Sequence, residues 1–101
     1  MGDTMAKDAV QYALLGLIGS RGDGTHGYRL KTDFEWLYGG FWSLNYGQLY
    51  RTLDRLERGG FIEGSQVVQS GRPNRKVYRI TSSGKKLLDE WLPLPPSEDT
   101  R

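Results

Sequence analysis

The sequence predicts a mainly α-helical domain with one small β-hairpin, in the order α-α-α-β-β-α, and three observations carry that expectation. Four stretches place apolar residues at the three-and-four spacing of an amphipathic helix, two short segments rich in Val, Tyr and Ile flank Ser70-Gly71-Arg72-Pro73-Asn74, and glycine or proline stands at the junctions. A chain of 101 residues allows one domain with one small core. Its 37% hydrophobic and 26% charged content is ordinary for a folded soluble domain, and the longest apolar run, Ala13 to Gly19, is far too short to span a membrane. With no cysteine and no basic-then-apolar leader, neither a disulfide framework nor a thiolate metal site is expected; no membrane partner is expected either, and the expected compartment is the cytoplasm.

Met1 to Lys7 carry little apolar content and read as an unordered lead-in or a cloning remnant, leaving a domain over 8–92 and an unordered polar tail over 93–101. From Asp8, Val10, Leu14, Leu17 and Ile18 recur at helical spacing, and Tyr12 with Leu15 forms a second apolar stripe, so the first helix should be covered on two sides. Gly22, Gly24 and Gly27 break the chain before a second helix from His26 to Tyr38, whose Leu30, Phe34 and Leu37 read as core and which stops at Gly39-Gly40. Phe41 and Trp42 read as a core plug between the second and third helices. Asn45 stands at an N-cap position with Gln48 three residues on, Leu49, Leu53 and Leu56 follow at i, i+4, i+7, and Gly59-Gly60 supplies a C′ glycine. At 100° per residue the opposite face of this third helix collects Gly47, Gln48, Arg51, Arg55 and Arg58. Two strands from Phe61 to Gln69 and Val77 to Ile80 form a hairpin with a basic tip, Thr81 N-caps a last helix presenting Leu87, Leu88, Trp91 and Leu92, and Pro93 ends it.

Charge is distributed unevenly. Residues 43–86 hold nine Lys/Arg and three acids, a net of +6 in a chain whose total is +2. Two short helices, the second apolar inside and basic outside, followed by a basic-tipped hairpin, make a winged helix-turn-helix, and its expected partner is double-stranded DNA. In such a module Gln48 can hydrogen-bond adenine edges, Arg51 guanine edges, Gly47 lets the helix N-terminus approach a phosphate, and Arg72, Arg75 and Lys76 reach the backbone or minor groove. The alternative is a winged helix that binds protein or RNA without operator specificity. An enzyme is not expected: there is no cysteine, the single histidine lacks Ser and Asp partners in a recognisable motif, and no Gly-rich phosphate loop follows a strand. His26 reads as a helix-start residue rather than a ligand, so no metal or cofactor is expected.

The strings "LLGLI", "HGYRLK", "FWSLNYGQLYRTLDRLERGGFIE" and "GRPNRKVYRITSSGKKLL" resemble the PadR family of bacterial transcriptional regulators over Val10 to Leu92. The resemblance implies dimeric repressors that bind inverted repeats near promoters, often released by a small aromatic or drug-like ligand. Residue by residue, it implies that Tyr28 and Lys31 sit near the DNA backbone, that Tyr46, Gln48, Tyr50 and Arg51 belong to the recognition helix, and that Gly71, Arg72, Pro73 and Lys76 belong to the wing; from the residues themselves, the expected DNA-binding set also includes Asn45 at the helix start, Arg55 on its outer face and Arg75 at the hairpin tip. A longer branch of that family continues into a separate helical domain, so the chain reads as a compact member or as a DNA-binding fragment, associated with the nucleoid.

The second stripe of the first helix also predicts a homodimer, because a domain this small offers one core and a soluble monomer seldom leaves a large apolar patch in water. Its expected interface uses Tyr12, Leu15, Leu88 and Trp91, and Trp91 reads either as a core anchor or as a plane on which an aromatic effector stacks.

Overall fold

The helix starts and stops follow from side chains that satisfy backbone groups left over at helix ends. In the structure, a computed structural model that describes residues 2–40 and 42–91 with side chains over 9–40 and 42–90, the elements are α1 (Gly2–Gly19), α2 (Gly27–Tyr38), α3 (Tyr46–Arg58), β1 (Ile62–Val67), β2 (Arg75–Ile80) and α4 (Ser82–Trp91). Asn45 accepts the Gln48 N–H at 2.7 Å at the head of α3, and Thr81 Oγ1 accepts the Gly84 N–H at 3.0 Å at the head of α4. At the tail of α3, Gly60 adopts φ +82°, a left-handed backbone that glycine takes without strain. There Phe61 N–H donates to Leu56 O and Gly60 N–H to Glu57 O, both at 3.0 Å, a Schellman closure that turns the chain into β1. Phe41, Leu92, Pro93 and the tail over 93–101 lie outside the described residues, as does the side chain of Trp91.

Helix α1 begins at Gly2, so residues 2–7, set aside in the sequence reading, extend it. Met5, Ala6 and Lys7 are good helix formers and no Gly or Pro falls between Asp3 and Leu15, so the backbone has no reason to stop at Asp8. Helix α1 packs against α2, α4 and β2. Leu14, Leu15 and Ile18 are fully buried in this single chain, together with Leu30, Phe34, Leu49, Leu53, Leu56 and Ile62. Leu15 therefore does not belong to an intermolecular face: the cover it needs comes from within the chain. The expected i+7 position of α2 is also corrected. Helix α2 buries Gly27, Leu30 and Phe34, while Leu37 is 54% exposed, because the end of α2 is closed by aromatics rather than by the core stripe. Tyr38 and Trp42 lie over Phe34 with ring centroids 5.1 and 5.8 Å from it and 5.2 Å from each other. Trp42 thus plugs the junction of α2 and α3 as its position suggests.

The hairpin is antiparallel, with register from Ile62 opposite Ile80 to Val67 opposite Arg75. Its inner face runs outward from Ile62, Gly64 and Gln66 on β1 and from Ile80, Tyr78 and Lys76 on β2. Burial follows that order: Ile62 and Tyr78 are in the core. On its other edge β2 is bridged by Thr25 of the α1–α2 connection, which exchanges hydrogen bonds of 3.0 and 2.7 Å with Tyr78. The order of elements and this hairpin are those of a winged helix-turn-helix.

Since Leu53 is fully buried at the middle of α3, Leu53→Ala should destabilise the domain by about 2–5 kcal/mol through lost transfer energy plus a cavity. Urea unfolding checks this, and a loss under about 1 kcal/mol would mean that α3 is not keyed into the core.

Candidate nucleic-acid interface

With its leucines inward, α3 turns the remaining positions to solvent. Asn45, Tyr46, Tyr50, Arg51 and Arg55 are exposed and Gln48 is partly so. The two tyrosines lie one turn apart with near-parallel rings, centroids 6.2 Å apart. From α2, Lys31 places its ammonium 5.1 Å from the centre of the Tyr46 ring and pairs with Glu35 at 2.5 Å; donation to Glu35 raises the Lys31 pKa above its ordinary value. Tyr28 is 68% exposed on the same side of the helix as Lys31, 100° and 40° round the axis from buried Gly27. Gly27 itself makes room for α3: a Cβ there would stand 2.1 Å from the Tyr50 hydroxyl. The head of α2 and α3 are thereby in contact.

The cations fall into two groups. Arg21 pairs with Asp33 at 3.0 Å, Arg58 pairs with Asp54 one turn earlier, Lys31 pairs with Glu35, and Lys76 pairs with Glu57 at 2.9 Å. Arg29, Arg51, Arg55, Arg72, Arg75, Arg79, Lys85 and Lys86 have no ion pair among the described residues; Arg55 donates instead to the neutral Gln11 carbonyl oxygen of α1 at 3.2 Å. At the wing, Gly71 has φ +73°, and Gln69 braces the loop by donating to Pro73 O at 2.9 Å, which leaves Arg72 exposed at the tip. The structure thus brings Gln48, Arg51 and Arg55 onto one face of α3 and puts Arg72 and Arg75 on the hairpin beyond it. It holds Lys31 and Lys76 on acids instead. Sequence reading missed Gln11, Glu35 and Glu57, the partners of Arg55, Lys31 and Lys76. Only Glu35, four residues from Lys31, had a local signal.

His26 caps α2: its Nδ1 accepts the Arg29 N–H at 3.4 Å. Partial burial, followed by the charges of Arg75 and Arg29, lowers its pKa from 6.5. Protonation of Nδ1 would remove the acceptor, so the cap needs the neutral ring.

An exposed, arginine-bearing helix in the second position of a helix-turn-helix, with a hairpin beside it, defines a winged-helix regulator module. The chain belongs to the transcriptional regulator PadR-like family, whose model matches residues 14–90. It is 36% identical over 83 residues to the negative transcriptional regulator PadR of Bacillus subtilis, covering 82% of this chain and 44% of that protein. To a Mycobacterium tuberculosis protein named probable transcriptional regulator Rv1176c it is 39% identical over 77 residues, covering 74% of this chain and 41% of the relative. The chain therefore spans less than half the length of these relatives. The crystal structure of Bacillus subtilis PadR in complex with operator DNA superposes with a TM-score of 0.74 at 33% identity, covering 87% of this chain and 51% of that one. Relatives are named as transcriptional regulators and none of these as an enzyme.

A lowered His26 pKa means that the unfolded chain takes up the proton more readily than the folded one. The contribution is complete above about pH 6.5 and is lost as pH falls through the folded value. The melting temperature should therefore drop between about pH 7.5 and 5.5, and His26→Asn, which keeps a capping acceptor but does not titrate, should flatten that drop. An unchanged slope in the variant would assign the pH dependence to other groups.

Proposed function

We propose that this domain binds a specific duplex DNA site and represses transcription there, as a homodimer on an inverted repeat in the cytoplasm, at the nucleoid. The carrying observation is the set of uncompensated arginines: Arg51 and Arg55 on α3, and Arg72 and Arg75 on the hairpin, with Arg29 and Arg79 likewise unpaired on α2 and β2, while Lys31, Arg58 and Lys76 are held by acids. An ion-paired surface is adequate for solubility; arginines left without acids on adjacent elements suit a polyanion. Gln48 and Arg51, near the N-terminal end of α3, are the groups for base edges, with Asn45, Tyr46, Tyr50 and Tyr28 around them for sugar and phosphate, and with Lys31, held by Glu35, beside the Tyr46 ring. The family relative seen with operator DNA and the relative named a negative regulator support the reading. Uncompensated arginines also argue against a winged helix used only for protein contacts. Among the described residues no helix is long and apolar enough to cross a membrane.

For the dimer, the relevant surface is a groove of about 360 Å³ between α1, α2 and α4. Tyr12 and Leu88 line it with Leu17, Leu37, Tyr38 and Trp42, and Trp36, 86% exposed, stands beside it on α2. Cover by a second copy would remove this apolar surface from water and relate two α3 helices by a two-fold axis, at about one turn of DNA, ~34 Å. The same groove has the apolar, aromatic lining that suits a small aromatic effector.

Arg72→Ala with Arg75→Ala should weaken binding to every duplex and reduce the salt slope by up to about two, at roughly 0.9 per phosphate lost. An unchanged slope would remove the wing from the interface. Gln48→Ala or Arg51→Ala should cost on the order of 1–3 kcal/mol on the best site and relax one or two base positions, with little change on random duplex; selection from a random pool that returned an identical motif would show that neither residue reads bases. Light scattering over a concentration series should find a dimer, free or on DNA, that Tyr12→Glu and Leu88→Glu dissociate. A monomer under both conditions would refute the two-fold assembly.

A further inference from the structure

We propose that Lys76 and Glu57 form a clamp that sets the direction of the wing against α3, so that Lys76 is a positioning residue for DNA binding and not a phosphate contact. The proposal rests on the DNA-binding reading above and departs from the role that family resemblance implies for Lys76.

Lys76 is the outermost inward-facing residue of β2, two positions beyond Tyr78, where the hairpin leaves the core. Its ammonium is folded back: Nζ donates to Glu57 Oε1 at 2.9 Å and lies 5.6 Å from the centre of the Tyr78 ring. Among the described residues this is the sole side-chain hydrogen bond between the hairpin and α3. The path of the side chain is built into β1. A Cβ at Gly64 would stand 2.4 Å from Lys76 Cε, 3.2 Å from the Tyr78 ring and 3.3 Å from Glu57 Oε2. The lysine stem therefore crosses β1 over the one residue that has no side chain to block it.

Electrostatics point the same way. Glu57 lies in the last turn of α3, where unpaired carbonyls make an acid unfavourable. The acid one turn earlier, Asp54, is already held by Arg58. Lys76 is the cation that compensates Glu57, whereas Arg72 and Arg75 of the same hairpin have no acid partner. A two-stranded hairpin is marginal by itself in water, and residues 68–74 extend beyond this last tie. Without it, Arg72 and Arg75 keep their charges but lose a fixed place relative to Gln48 and Arg51.

The test uses the 101-residue chain, a duplex recovered by selection from a random pool, and a random-sequence duplex. Glu57→Ala and Lys76→Met should each weaken the selected duplex by about three- to tenfold. The double variant should be no worse than either single one, and Gly64→Ala should behave like Lys76→Met. The exchanged pair Glu57→Lys with Lys76→Glu should recover most of the affinity. Slopes of affinity against salt should stay at the wild-type value, and amides of Gln66, Val67 and Arg75 should exchange faster in each single variant. A phosphate contact behaves differently: Lys76→Met would lower the salt slope by roughly 0.9, and Glu57→Ala, by removing a negative charge, would tighten binding. Either result, or amide exchange unchanged in both single variants, overturns the clamp. Wild-type protein that binds neither duplex overturns the DNA reading instead, and the amide exchange then decides the clamp alone.

Discussion

Everything the exposed surface offers depends on how α3 is rotated about its own axis. Leu49, Leu53 and Leu56 are buried with Thr52, whose hydroxyl is spent on the Gln48 carbonyl at 2.8 Å. Each buried leucine is worth about 1.5–3 kcal/mol relative to exposure. A shift by one residue would turn the helix by 100°, bringing Gln48 and Arg55 toward the core and the leucines toward water. The orientation of Gln48 and Arg51 is thus a by-product of core burial, and no polar contact has to impose it.

Around that fixed helix the charges do two jobs. Where a cation lies near an acid one turn away, as Arg58 with Asp54, the pair adds little free energy because both partners are largely in water. The effect of pairing is subtraction: it lowers positive potential at Lys31, Arg58 and Lys76 and leaves it on Arg51, Arg55, Arg72 and Arg75, as on Arg29 and Arg79. A net charge of only +2 can therefore coexist with a locally basic surface.

The features legible in the sequence are those set within a few residues. The Asn45 and Thr81 caps, the Gly59-Gly60 stop, the leucine stripe of α3 and the turn around Pro73 all act through neighbouring backbone, and each stands where the pattern places it. What was not legible depends on residues far apart in the chain. Leu15 looked surplus because periodicity cannot count how many elements pack on a helix, and α1 has three. Leu37 looked buried because nothing local announces that Tyr38 and Trp42 will close α2 over Phe34. Lys76 looked free because its acid is 19 positions earlier. Charge counts identify a basic region, but which cations are spent is decided by the tertiary fold.

The Thr25 bridge has a consequence for the sheet as a whole. By bonding both backbone groups of Tyr78, the α1–α2 connection makes β2 an interior strand at that level and leaves β1 as the open edge. That edge is six residues long and contains Glu63, Gly64, Ser65 and Gln66. It is short, polar and interrupted by a glycine, a poor template for the main chain of another molecule. The other edge, on β2, is covered at the level of Tyr78 by one residue of a connecting loop, so strand addition is discouraged on both sides of the hairpin without a longer sheet.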